Sequence, residues 1–94
     1  MADEWRIEMK HELKCWPEYF EAVIKEDKRF EIRKNDRDFK VWDHLLLREW
    51  SPDTGKYTGR EQRVCVRYIL ERGFGLEDGY VCMDISKMAY LSIK

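Results

Sequence analysis

From Trp5 to Lys14 the chain alternates. Trp5, Ile7, Met9 and Leu13 are apolar, while Arg6, Glu8, Lys10, Glu12 and Lys14 are charged. A period of two marks a strand with one face on a core. His11 falls on the apolar side, where a hydrogen-bonded wall residue is expected rather than a metal ligand. The period then changes once. Pro17 suits the first turn of a helix, where its missing N–H costs nothing. Tyr19, Phe20, Val23 and Ile24 recur at helical spacing, with Glu18, Glu21 and Lys25 between them. The order of acid early and lysine late complements the helix dipole. One short amphipathic helix, about Pro17 to Lys25, is therefore expected to pack its apolar stripe on a sheet.

Everything after the helix reads as strands and turns. Phe30 to Arg33 alternates, with Phe30 and Ile32 predicted inward and Glu31 and Arg33 pointing away from the core. Val41 to Trp50 reads as a strand, with Leu45, Leu46 and Leu47 apolar on both faces, as where a strand is covered twice. Ser51-Pro52-Asp53-Thr54-Gly55 signals a turn, and Tyr57-Thr58-Gly59-Arg60 a polar excursion between strands. Val64 to Leu70 places Val64, Val66, Tyr68 and Leu70 on one face and Arg67 on the other. A glycine-rich loop leads to a strand from Tyr80 to Ile85, and the tail from Ser86 still carries Met88, Tyr90, Leu91 and Ile93. The expectation is one α+β, mainly β domain over residues 1–94: five to six strands in a closed or nearly closed antiparallel barrel, with one helix after the first strand, or, as the alternative, an open α+β sheet.

Length limits this domain, since 94 residues bury only about 60–65% of the unfolded surface. Bulky aromatics must fill much of the core. The 18 lysines and arginines nearly cancel 19 acids, for a net charge of −1. No global pull toward nucleic acid or membrane follows, so an anion site has to be a local patch. No apolar run approaches the roughly 20 residues of a spanning helix, and no signal-peptide core is evident. A soluble, cytoplasmic protein is expected, with a monomer favoured over a dimer and the oligomeric state left open. Cys15, Cys65 and Cys82 form no C-x-x-C pair and fit free thiols in a reducing compartment, with Cys65 and Cys82 as small buried hydrophobes. No metal and no cofactor is expected.

The chemistry concentrates in residues 27–37, Asp27-Lys28-Arg29-Phe30-Glu31-Ile32-Arg33-Lys34-Asn35-Asp36-Arg37. A carboxylate and a guanidinium on one strand face, flanked by Lys28 and Arg37, make either a polar cleft or a solvated charged edge. Asn35-Asp36 favours a turn, with Asp36 expected to cap its own backbone and Asn35 suited to a left-handed conformation.

Lys28-x-x-Glu31-x-Arg33 resembles part of the G-x-K-x-x-E-x-R signature of ASCH domains, which have the PUA-like barrel fold. The similarity extends to His11-Glu12-Leu13-Lys14, Trp16-Pro17-x-Tyr19-Phe20, Phe30 to Phe39, Tyr57-Thr58-Gly59-Arg60 and Gly79-Tyr80-Val81, in the same order as in one bacterial and phage subfamily. It covers roughly residues 11–86. Two positions depart from the pattern. Glu26 stands where the signature has glycine, and must reach any positive φ there at a cost. Trp42 stands where the subfamily typically has glycine, and is expected to add barrel packing.

What the resemblance implies is a polar cleft between helix and barrel that binds RNA or a nucleotide. Lys14, Lys28, Arg33, Arg37 and Arg60 are candidate phosphate partners, Tyr57 and Trp42 stacking faces, and Glu31 and Asp36 further ligand contacts. Some relatives hydrolyse an acylated cytidine or cut RNA. The amide-hydrolysing members use a lysine and a threonine three residues later; Lys28 matches the lysine, but Glu31 replaces the hydroxyl. The alternative function is therefore a hydrolase with Glu31 as general base and Lys28 stabilising developing charge. A protein-interaction module using the hydrophobic tail is a third reading. No P-loop, Rossmann fingerprint or nucleophile elbow is present.

Overall fold

The computed structural model describes residues 10–88; the expected strand residues before Lys10 and the tail after Met88 lie outside them. In chain order the elements are β1 (Lys10–Cys15), α1 (Pro17–Ile24), β2 (Phe30–Lys34), β3 (His44–Ser51), β4 (Lys56–Leu70) and β5 (Tyr80–Lys87). The five strands form one curled sheet in the order β1-β3-β4-β5-β2, half of a barrel. The predicted pairing needs one correction. β1 joins β3 in parallel, and only the remaining pairs are antiparallel. The helical crossover between β1 and β2, followed by the return through β3, makes the parallel pair possible.

The curl leaves β1 and β2 as outer strands that no backbone ladder joins. Side chains bridge them instead. Arg33 Nη2 donates to Lys14 O at 2.8 Å, and Arg37 Nη1 donates to Glu12 O at 2.8 Å. The helix fills the hollow of the sheet. Phe20 and Val23 are buried against Leu13, Leu45, Leu47, Val64, Val66, Met83 and Ile85. Burying Phe20 alone contributes about 1.5–3 kcal/mol. Tyr19, predicted in the packed stripe, is instead half exposed, because the sheet covers only the narrower Phe20–Val23 line.

Pro17 opens the helix, and Lys25 occupies its C-cap rather than its last turn. The stop is a Schellman motif: Glu26 N–H reaches Val23 O at 2.9 Å and Asp27 N–H reaches Ala22 O at 2.9 Å. That motif needs a left-handed residue, and Glu26 supplies it at φ 64°. Trp42 is also left-handed, at φ 80°. Both departures from the glycine pattern thus occupy positions where glycine is the low-energy choice. Trp42 does not add barrel packing, however. It is 54% exposed, with the Arg67 guanidinium 4.7 Å from its ring centroid.

Two bulges bend β4. Between Arg48 and Trp50 of β3, Glu49 alone faces Thr58-Gly59-Arg60, so the expected polar excursion is part of a long strand. Gly59 takes φ 101° there, in the region glycine alone enters freely. The second bulge sets Arg67 between the Val66–Ile85 and Tyr68–Asp84 pairs. It breaks the predicted alternation: Val64 and Val66 are buried, Tyr68 turns outward, and Ile69 packs against the core. β3 starts at His44, later than expected, and of its three leucines Leu45 and Leu47 are buried while Leu46 lies half-buried on the outer face of a singly covered strand.

His11 is the wall residue its place on the apolar face suggests. Its Nε2 lies 2.9 Å from Asp43 Oδ2, and its ring meets Phe39 edge-on at 4.8 Å. In the turn after β2, Asn35 uses its side chain rather than a left-handed backbone. Its Oδ1 accepts the Phe39 N–H at 2.9 Å, and Asp38 takes the positive φ.

Candidate functional site

The strand β2 carries its charge inward. Glu31 is 3% exposed, whereas Phe30 and Ile32 are 44% and 52% exposed. This reverses the expected facing. The alternation is intact, but the ionic face is the one that closes over the hollow. A buried carboxylate is tolerable only with partners, and Glu31 has two. Lys28 Nζ donates to Oε2 at 2.9 Å and Arg33 Nε to Oε1 at 2.9 Å. Lys28 also donates to Phe30 O at 2.7 Å. Arg33, through its bond to Lys14 O, holds the carboxylate and the β1 edge at once.

Above Glu31 opens a groove of about 580 Å³ between the end of β1, the start of α1 and β2. Lys14, Lys28 and Arg33 supply its cations, and Trp16, Tyr19 and Phe30 its aromatic faces. Trp16 and Tyr19 are each 47% exposed, and their rings stack at 6.4 Å and 17°. The Lys28 ammonium lies 4.9 Å from the Phe30 ring centroid. Lys14 rests its ammonium 4.5 Å from the Trp50 ring.

Cys15 lines the same groove and is buried. Its thiol is pushed up to about 11, first by burial and then by the Glu31 carboxylate. Lys28 and Arg33 oppose that shift, and Glu49 adds to it. A thiol held protonated in this way is a packing group and not a nucleophile. Cys65 and Cys82, expected to be buried, are only half so.

Glu49 is the residue that motif reasoning missed. It is 6% exposed and pairs with Cys15 in the β1–β3 register. The β4 bulge wraps it: Thr58 Oγ1 donates to Oε1 at 2.7 Å, and Arg60 Nη1 lies at 3.8 Å. Its signal was available, because Leu45, Leu47 and Glu49 share one strand face.

The eight sequence-predicted site residues therefore divide. Lys14, Lys28, Glu31 and Arg33 meet in the groove. Arg37 reaches the neighbouring β1 edge, and Asp36 lies exposed 4.0 Å from Arg37 without capping its own turn in any hydrogen bond described. Tyr57 stacks under Arg48 at 3.9 Å on the outer surface. Arg60 ties the bulge to the helix through Glu21 at 3.2 Å and lies over Phe20 at 5.0 Å. Among the described residues no group of His, Cys, Asp or Glu is arranged to hold a metal ion. None of their helices is long and apolar enough to cross a membrane.

Residues 10–85 match a protein family described as Domain of unknown function (DUF3850). The chain belongs to the DUF3850 family. The match runs from the start of β1 into β5 and so contains every groove residue. A second similarity is to a phage protein, the "Uncharacterized 12.9 kDa protein in GpA 3'region" of Escherichia phage P2. It is 37% identical over 68 residues, which make up 72% of this DUF3850 chain and 61% of the phage protein. The chain thus spans about three fifths of that relative's length.

Proposed function

We propose that this chain is a PUA-like domain of the ASCH kind that binds RNA or a nucleotide in the groove above Glu31. One observation carries the reading: a buried, doubly held carboxylate forms the floor of a groove whose rim is cationic and whose walls are exposed aromatic rings. Each part answers to a part of a nucleotide. Lys14, Lys28 and Arg33 suit phosphate oxygens, and the stacked Trp16 and Tyr19 offer a flat face to an unpaired base. Glu31 forms the floor beneath them and holds Lys28 and Arg33 in place. On this reading the protein works as a monomer in the cytoplasm, where its thiols stay reduced.

Hydrolysis has less support. Both Glu31 oxygens already accept from cations and the side chain is only 4% exposed, which gives an attacking water little access to it, and the Cys15 thiol is held protonated. Incubation with acylated cytidine and with mixed RNA tests that reading directly; product formation that Glu31→Gln abolishes, at a temperature where thermal unfolding shows the variant folded, would favour it over binding alone.

Titration of the labelled protein with mononucleotides and short single-stranded RNA, followed by amide shifts, tests the binding reading. The expected result is shifts clustered at Lys14–Tyr19 and Lys28–Arg33. Three groove cations set a salt slope of at most about −2.1 for single strands, and compensation of one of them by Glu31 reduces it to about −1.4. No binding at low salt, or shifts scattered over other faces, would sink the reading.

A further inference from the structure

On the far side of Lys28 lies a second pocket of about 410 Å³. Lys28, Arg29, Arg67 and Lys87 line it, against Glu26 and Asp84. Two of these cations are already engaged. Lys28 holds Glu31, and Lys87 donates to Ile24 O at 2.8 Å and lies 3.6 Å from Glu26. Arg29 and Arg67 are both exposed. Arg67 is the extra residue of the second β4 bulge, a feature that re-aims a side chain. Its guanidinium rests on Trp42, the exposed indole that takes a left-handed backbone to stand there. Lys28 lines both cavities. The two sites therefore adjoin, and cations continue from Lys14 and Arg33 through Lys28 to Arg29 and Arg67.

We infer that the ligand is a single-stranded oligonucleotide rather than a free nucleotide, with one unit in the groove above Glu31 and the following phosphates in the Arg29–Arg67 pocket. The inference rests on the nucleotide-binding reading of the first groove and extends it. A nucleotide with a single phosphate leaves the second, adjoining cation-lined pocket unfilled. A strand that bends round Lys28 uses both, and Trp42 with its stacked guanidinium offers its next base a planar surface. Glu26 and Asp84 lower the field of the second pocket, so it selects a phosphate placed against Arg29 and Arg67 rather than attracting anions at large.

The test compares uridine monophosphate with labelled single-stranded RNA of two, four and eight nucleotides, by anisotropy and amide shifts, in the native chain, Arg29→Glu, Arg67→Glu and the milder Arg67→Gln. Thermal unfolding confirms that each variant is folded. The octamer is expected to bind at least tenfold more tightly than the mononucleotide and to shift residues around Arg29 and Arg67. Its salt slope should be steeper by about 1.4, for two further phosphates. Each charge reversal should lower octamer affinity about tenfold and leave mononucleotide binding in the first groove unchanged. If the octamer binds no tighter than the mononucleotide, or leaves the second pocket unshifted, the inference is overturned and the single-nucleotide reading stands. If the mononucleotide and every RNA fail to bind, both fall together.

Discussion

Replacing Glu31 by glutamine removes one charge from a site where two cations, Lys28 and Arg33, depend on it. The Glu31 side chain is 4% exposed, while its partners Lys28 and Arg33 keep 18% and 27%. Breaking a fully buried pair costs about 3–5 kcal/mol, because the surviving charge is stranded. Here the survivors are partly solvated and can turn outward, so the expected loss is smaller, about 2–3 kcal/mol. Glutamine also directs an N–H₂ group at one of the two cations, so only one of the original hydrogen bonds can be kept. Urea unfolding followed by tryptophan fluorescence measures this. With a slope near 1 kcal/mol/M, the midpoint should fall by roughly 2 M or more. The melting temperature should drop by about 10–20 °C, at 4–8 °C per kcal/mol for a domain of this size. Removing the Lys28–Glu31 pair together should be milder, because only Arg33, which keeps its bond to Lys14 O, then lacks its carboxylate, so the double change Lys28→Met with Glu31→Leu should recover part of the loss. A Glu31→Gln loss below about 0.5 kcal/mol would show that the carboxylate is not the keystone of β2.

Further outcomes follow from the same geometry. Arg33→Lys keeps the charge but cannot reach Glu31 and Lys14 O together, so it should cost about 1–2 kcal/mol in urea unfolding, loss of one charge-assisted bond being the reason. Glu26→Gly should stabilise by about 0.5–1 kcal/mol, since a left-handed L-residue costs roughly 1–2 kcal/mol and the exposed Lys87 contact returns little of it. A melting temperature that falls would refute that account. The Cys15 thiol, raised from 9.0 to about 11, stays protonated in the folded chain where the unfolded chain already ionises. Its contribution is therefore complete below pH 9 and lost as pH rises towards 11, at about 1.4 kcal/mol per unit. Comparison with Cys15→Ala across that window isolates it, and iodoacetamide at pH 8 should label Cys65 and Cys82 well before Cys15.

The sequence made the element order legible and left the facing of β2 illegible for a physical reason. Alternation says which residues share a face, not which face is inside. The inward face was assigned to Phe30 and Ile32 by polarity, yet Lys28 and Arg33 make burial of Glu31 affordable and leave the apolar pair outside. Partners three residues before and two residues after the carboxylate were in plain view; their convergence depended on the strand edge of β1 across the hollow. The two β4 bulges defeated the alternation at Tyr68 and hid the strand at Thr58–Arg60, because a single extra residue flips every side chain beyond it. Glu49 was overlooked since it belongs to no motif. Trp42 was misjudged because large aromatics usually fill cores, whereas here Arg67 covers it on the surface. The helix, the turn at Ser51–Gly55 and the facing of His11 were readable because each rests on local spacing alone.

The guanidinium bridge across the open side of the sheet has a consequence for how the protein behaves in company. An outer strand with bare carbonyls is a template on which a neighbouring chain can add its own strand. On β1 the carbonyls of Glu12 and Lys14 are already taken by Arg37 and Arg33. An incoming strand would have to strip both arginines away, and in losing Arg33 it would also disturb Glu31. The side chains that span the gap thus guard the molecule against fibrous association, and this protection is written in two residues rather than in a closed ring of backbone hydrogen bonds.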